Sequence, residues 1–189
     1  MIEHTPWIGP LYDSEGLKGQ RLGIMGYSAW TPEDHAGYTI ESIANVVSGI
    51  WPKAQFFNAI PNYFDCDRAD FYNRVAFFEF VPCAIGGGDQ RYAVATPEQS
   101  VAGRKRVLSI AEAHKIDKLL VFSAKGWAAL TGIPGLSGEG RLPLGDTGFQ
   151  FSRCQVGGRI LTVIGLRHPQ YAPAKKMRDA ISEALALQV

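Results

Sequence analysis

Short apolar runs alternate with segments of helical periodicity through most of the chain, and this alternation leaves few architectures open. Arg21–Gly26, Ala76–Val81, Lys118–Phe122 and Arg159–Gly165 are too short for helices and dense in residues that suit buried strands. Between them, Thr39–Ser48 sets Ile40, Ile43, Ala44 and Val47 at helical spacing, with Gly49 as a stop, and Asp67–Arg74 reads as a short helix. Thr96-Pro97-Glu98 combines an N-cap, a first-turn proline and an acid at the positive helix end. The helix it opens runs to about His114 on Val101, Val107, Leu108 and Ala111. Ala124–Leu130 and Pro173–Leu187 complete the helices, the latter on Met177, Ile181 and Leu185. Gln55–Ala59 reads as a further short strand. Phe149–Cys154 and Arg159–Gly165 flank the hairpin turn Gln155–Gly158. The pattern predicts one α/β domain spanning residues 1–189, three-layered as α/β/α, with a mainly parallel central sheet covered on both faces.

In such sheets ligands bind at the carboxyl ends of strands. The segments after Gly26, Val81, Phe122 and Gly165 are therefore the candidate functional loops. Gly86-Gly87-Gly88 gives the connection after Cys83 backbone freedom, but it matches neither a P-loop nor a dinucleotide fingerprint. Ile133–Gly148, rich in Gly and Pro, reads as a surface loop.

Composition excludes several classes. The chain is 46% hydrophobic and 20% charged, which argues against disorder, and its net charge of +1 excludes a polybasic tail while leaving room for a local basic patch. Cys66, Cys83 and Cys154 form no CxxC pair, so neither a zinc site nor a disulfide framework is expected, and a reducing, cytoplasmic setting fits. Met1–Pro10 lacks the signal-peptide pattern and no run is apolar enough to span a bilayer, so no membrane partner is expected.

The four post-strand segments also carry a family pattern. Leu22–Trp30, with Gly26-Tyr27-Ser28 at its centre, resembles the first motif of the uracil-DNA glycosylase superfamily, a strand, a glycine and a water-positioning turn. Ala76–Cys83 is similar to that superfamily's strand bearing a base-reading side chain. Val121–Gly126 is similar to its phosphate-contacting turn, and Ile164–Gln170 resembles its late strand that delivers His-Pro. The resemblance spans about Arg21 to Arg178. It implies a uracil-DNA glycosylase-like fold, a monofunctional glycosylase without cofactor, metal or iron–sulfur cluster, and a DNA partner. Cys83 stands where some relatives ligate a cluster, but the partner cysteines are missing. Two positions depart from the family: Ser28 replaces its usual Asp or Asn, and Glu79 replaces its usual Asn.

The resemblance assigns His168 to hydrogen bonding a carbonyl oxygen of the departing base, a task open to neutral imidazole. Ser28 holds the attacking water, with Asp34 as the alternative base if its loop folds over the site. Gly26, Tyr27, Glu79 and Phe80 form the base pocket. An ionised Glu offers acceptors only, so its complement is an amino group, which points from uracil toward a cytosine-type or modified cytosine base. The structural alternative for Glu79 is an ion pair with a residue such as Arg74. DNA binding is expected to use Ser123, Lys125, Arg167, Gln170, Lys175, Lys176 and Arg178, with Tyr171 as a wedge that replaces the extruded nucleotide. A monomer is the default for a domain that wraps one flipped nucleotide. The rival readings are a base-binding module with a dead site and a hydrolase of free nucleosides or nucleotides. For a glycosylase, repair and attack on modified foreign DNA both remain open.

Overall fold

The computed structural model describes residues 2–31, 33–86, 93–136, 140–142 and 149–187, and for Arg141, Leu142 and Tyr171 it describes the main chain. Seven strands make one sheet: β1 Trp7–Ile8, β2 Leu22–Gly26, β3 Ala76–Glu79, β4 Lys118–Val121, β5 Gly140–Leu142, β6 Phe149–Val156 and β7 Arg159–Gly165. Their order is β1-β3-β2-β4-β7-β6-β5. The central four, β3-β2-β4-β7, run parallel, and β1, β6 and β5 pair antiparallel at the edges. The expected α/β class with a parallel sheet centre is therefore present, with antiparallel additions on both sides. Gly157 and Gly158, at φ +55° and +76°, make the tight β6–β7 turn that non-glycine residues resist.

Helices cover both faces. On one side Ile24, Phe77, Leu120 and Ile164 of the sheet pack against α1 (Tyr38–Val47), α2 (Gln55–Asn62), α3 (Arg68–Arg74) and α6 (Ala174–Ala186). On the other, Met25, Phe78, Leu119, Val121 and Val163 pack against α4 (Pro97–Ala113) and α5 (Ala124–Leu130). The alternation of these strand residues between two cores is the period-two geometry of a sheet buried on both faces.

Several local expectations hold at the level of chemistry. Thr96 caps α4 in a full capping box with Gln99, and Asp67 caps α3 through the Ala69 and Asp70 N–H groups. One element differs in kind. Gln55–Ala59 belongs to helix α2 rather than a strand, because Phe56, Phe57 and Ile60 fall on one helical stripe whereas a strand would send the two adjacent rings to opposite faces. The Ile133–Gly148 region contributes β5 to the sheet edge, so it is not loop throughout; residues 137–139 and 143–148 lie outside the described residues, as do Gly87 and Gly88.

Two helices bury only part of the face that their apolar residues mark, and add polar residues to it. α1 buries Thr39, Ser42, Ile43 and Val46 and leaves Ile40 exposed. α4 buries Gly103, Arg106, Val107, Ile110 and Ala111 and leaves Val101 exposed. In both cases a polar residue is turned toward the end of β3. A Cβ at Gly103 would stand 2.7 Å from the Phe80 carbonyl oxygen, so glycine permits the close approach of α4 to that strand end.

Candidate functional site

The chain leaves β2 toward β3 on one side and reaches β4 on the other. The carboxyl end of β2 is thus the point where the sheet's winding direction changes, the expected place for a ligand crevice. A cavity of about 310 Å³ lies there. It gathers Gly26–Trp30 after β2, Glu79 of β3, Ser123 after β4 and His168 after β7, with Tyr38, Phe56, Phe57, Phe77 and Phe122 as aromatic walls. Four segments far apart in sequence meet because parallel strands deliver their carboxyl ends to one edge. The loops are tied by main-chain bonds: Phe80 N–H to Gly26 O (3.0 Å), Val81 N–H to Tyr27 O (2.9 Å) and Ile85 N–H to Ala29 O (3.2 Å).

Glu79 is only 4% exposed. Its Oε2 accepts the Thr39 hydroxyl at 2.7 Å. Arg106, also buried, donates from Nε to the Glu79 main-chain carbonyl (3.4 Å), and its other arms go to Glu3 (2.9 Å) and the His4 carbonyl (2.6 Å). Burial raises the Glu79 carboxyl above its ordinary range, more than the Thr39 bond, His4 and Arg106 lower it. Burial thus shifts the carboxyl toward its neutral form, which adds a donor to the acceptors that an ionised side chain offers. Arg74 instead pairs with Asp70 and Glu15, so it does not neutralise Glu79.

His168 begins a 3-10 turn, Pro169–Tyr171, and its Nδ1 accepts the Gln170 N–H at 3.3 Å. That bond fixes Nε2 as the protonated nitrogen of the neutral ring. Burial lowers the His168 pKa, and the Phe56 ring lies 5.2 Å away. The cavity therefore presents a buried carboxyl and a neutral imidazole donor between aromatic walls.

The remaining expectations fall in different places. Tyr27 lines the cavity, stacks on Phe80 (6.1 Å, 9°) and accepts the Ala95 N–H at 3.0 Å. Phe80 itself is buried behind that ring and does not line the cavity. Ser28 lines it half-buried, and no hydrogen bond joins its hydroxyl to another described residue. Asp34 does not line it: its Oδ1 takes His4 Nε2 at 2.5 Å and the Ala84 N–H at 3.1 Å, which holds the loop to the N-terminal segment. Ser123 is buried, lines the cavity and caps α5 through the Gly126 N–H. Lys125 is exposed with Nζ 5.8 Å from the Tyr27 ring centre. Arg167, Gln170, Lys175 and Lys176 are exposed and do not line the cavity. Arg178 instead bonds the Asn62 carbonyl and Asp65, lining a separate cleft with Lys18 and Tyr63. The Tyr171 side chain lies outside the described residues.

Sequence reading missed Thr39, Tyr38, Phe56 and Phe57. Phe56-Phe57 carried a signal, since two adjacent rings followed three residues later by Ile60 fit a helix. Thr39 carried none until Glu79 was known to be buried beside it. Among the described residues no three His, Cys, Asp or Glu side chains converge as metal ligands, and no helix is long and apolar enough to cross a membrane. No protein-family model matches the chain, and no curated protein matches it significantly.

Proposed function

We propose that the chain is a divergent member of the uracil-DNA glycosylase superfamily: a monofunctional, cytoplasmic DNA glycosylase that extrudes a modified or damaged pyrimidine, of cytosine type, and hydrolyses its N-glycosidic bond. The observation that carries this reading is the buried Glu79 carboxyl and the neutral His168 donor facing one aromatic-walled cavity. An aromatic cavity of this size admits one flat base, and polar groups at two points read its edge. His168 Nε2–H stabilises negative charge that develops on a base carbonyl as the bond to the sugar breaks. The Glu79 carboxyl accepts from an exocyclic amino group in either protonation state. Ser28 positions the water. A sugar that already carries positive charge needs little activation of its nucleophile, which suits a hydroxyl with no base bonded to it among the described residues. The reaction as proposed uses no metal or cofactor. Lys125 beside Tyr27, with Arg167, Gln170, Lys175 and Lys176, supplies contacts to DNA phosphate, and the protein acts as a monomer.

The lone Ser28 hydroxyl favours one second reading, a base-binding module that does not cut. Oligonucleotides carrying uracil, cytosine or 5-substituted cytosines separate the two. Release of a cytosine-type base by the native protein, lost in His168→Ala, is the expected result. Binding without an abasic product would establish the module, and clean release of uracil alone would overturn the cytosine assignment. Whether the activity serves repair or attacks modified foreign DNA follows from which base is released.

A further inference from the structure

The two oxygens of the Glu79 carboxyl are not equivalent. Thr39, fully buried in the first turn of α1, donates its hydroxyl to Oε2. Arg106 bonds the main chain of Glu79 and not its carboxyl, so among the described residues no guanidinium is seated on the acid. A donor on Oε2 makes that oxygen the carbonyl of the neutral acid and leaves the proton to Oε1. The described groups that face this carboxyl are Thr39 and Tyr38 from α1, the main-chain N–H of Glu79 itself, His4 from the N-terminal segment, Arg106 from α4, and His168 across the cavity. Tyr38 is held neutral by burial, and Asp34 lies behind His4.

Cytosine is a poorer leaving group than uracil. When the bond from N1 to the sugar breaks, uracil spreads the electron pair over two carbonyls, and cytosine has one carbonyl and an amino group. A proton given to ring N3 removes that handicap. Resting on the glycosylase reading, we infer that Thr39 and Glu79 form a proton-delivering pair for cytosine-type bases. Oε1–H is given to N3 as the glycosidic bond breaks, and Oε2, held by Thr39, accepts from the exocyclic amino group. The electron pair of the C1′–N1 bond goes to N1, and the proton from Oε1 makes the departing base neutral. Water adds to C1′, and the proton it sheds returns to the Glu79 carboxylate. One water is consumed, and a free base and an abasic sugar are formed. His168 Nε2–H meets the remaining carbonyl, O2. Glu79 is thereby a catalytic acid, and Thr39 a positioning residue that acts through it.

The test is single-turnover release from oligonucleotides bearing either a 5-substituted cytosine or uracil, by native protein, Thr39→Val, Thr39→Ser and Glu79→Gln, from about pH 5 to about pH 9. Expected for the cytosine-type base is a rate that falls as pH rises and the acid ionises, a loss of about 100-fold or more in Glu79→Gln, and of about 10-fold or more in Thr39→Val. Thr39→Ser restores the hydroxyl and with it the native profile. A flat pH profile, or Thr39→Val equal to native in rate and profile, overturns the pair while leaving the glycosylase reading intact. Thr39→Ser as impaired as Thr39→Val in correctly folded protein also overturns it. No release of any base by the native protein removes the glycosylase reading, and the pair with it.

Discussion

Glu79 and His168 face one cavity from β3 and β7, the two outer strands of the parallel core, yet they are held in different ways. Glu79 is fixed from a distance: α1 supplies Thr39, α4 supplies Arg106, and the N-terminal segment supplies His4 and Glu3 behind it. His168 is held by fewer elements: its own turn supplies the Gln170 N–H, and α2 sets the Phe56 ring against it and ties Pro169 through the hydroxyl of its C-cap, Tyr63. A group held by many elements has its charge state and direction tied to the integrity of the fold. A group held by fewer elements can be changed with less consequence beyond the chemistry. The Glu79 end should therefore report in stability and base choice together, and the His168 end chiefly in rate.

The largest effect that separates the two ends is His168→Ala. Loss of one donor to a developing charge should lower base release by about 100- to 1000-fold. Loss of the cap on a single 3-10 turn should cost the fold only about 1 kcal/mol, read by denaturant unfolding. A larger stability loss would mean that His168 is as embedded as Glu79, and the contrast would fail. Next comes Arg106→Ala. Arg106 ties α4, β3 and the N-terminal segment through three hydrogen bonds from a buried guanidinium, so its removal should destabilise by about 2–3 kcal/mol. An unchanged midpoint would show that the N-terminal segment docks without it.

Smaller, and opposite in sign, is Glu79→Gln. The folded-state carboxyl lies above its ordinary value of 4.5, so its contribution to stability is complete below that pH and is lost as pH rises through the folded value. Gln keeps the Thr39 bond and carries no proton. The variant should equal the native protein in acid and exceed it at about pH 8, read by denaturant unfolding at both. Equal stability at both would place the Glu79 carboxyl in an environment no different from water. His168 works in the other direction: burial lowers it from 6.5, so stability is lost as pH falls through that region, and His168→Ala should lessen that acid loss. The smallest effect is Lys125→Ala at the cavity rim, which should weaken DNA binding a few-fold and reduce the slope of log affinity against log salt by about 0.9.

The same contrast explains what could be read from the sequence. The strands, the α4 cap and the four post-strand loops were legible because each is written in adjacent residues: an apolar run, Thr-Pro-Glu, a glycine at a strand end. His168, capping its own turn, was legible for that reason. The surroundings of Glu79 were not. Apolar spacing on α1 marks Ile40, Ile43, Ala44 and Val47, but the helix is rotated so that Thr39 and Ser42 are buried and Ile40 is not. On α4 the spacing marks Val101, yet Arg106 is turned inward. Periodicity counts apolar residues, and a buried carboxyl makes its neighbours bury polar ones. Asp34 shows the same limit: its place in the loop after β2 suggested a base over the site, and its partner His4, thirty positions earlier, takes it elsewhere.

The N-terminal segment has a further consequence, for how the molecule opens. The His4 N–H bonds the Pro82 carbonyl (2.6 Å), the Thr5 N–H bonds the Ala36 carbonyl (2.7 Å), and the His4 carbonyl meets Arg106. These residues precede their partners by about thirty to about one hundred positions. None of these contacts belongs to the parallel ladder, so the segment can undock while β3-β2-β4-β7 stays paired. The sheet centre can thus persist while the acid of the site lacks its surroundings. A partly folded chain would hold the aromatic cavity with an ordinary, solvated carboxylate, unable to donate a proton. Amide exchange at His4 and Thr5 that is faster than at Ile24, and equal to it if the segment opens only with the sheet, distinguishes the two cases.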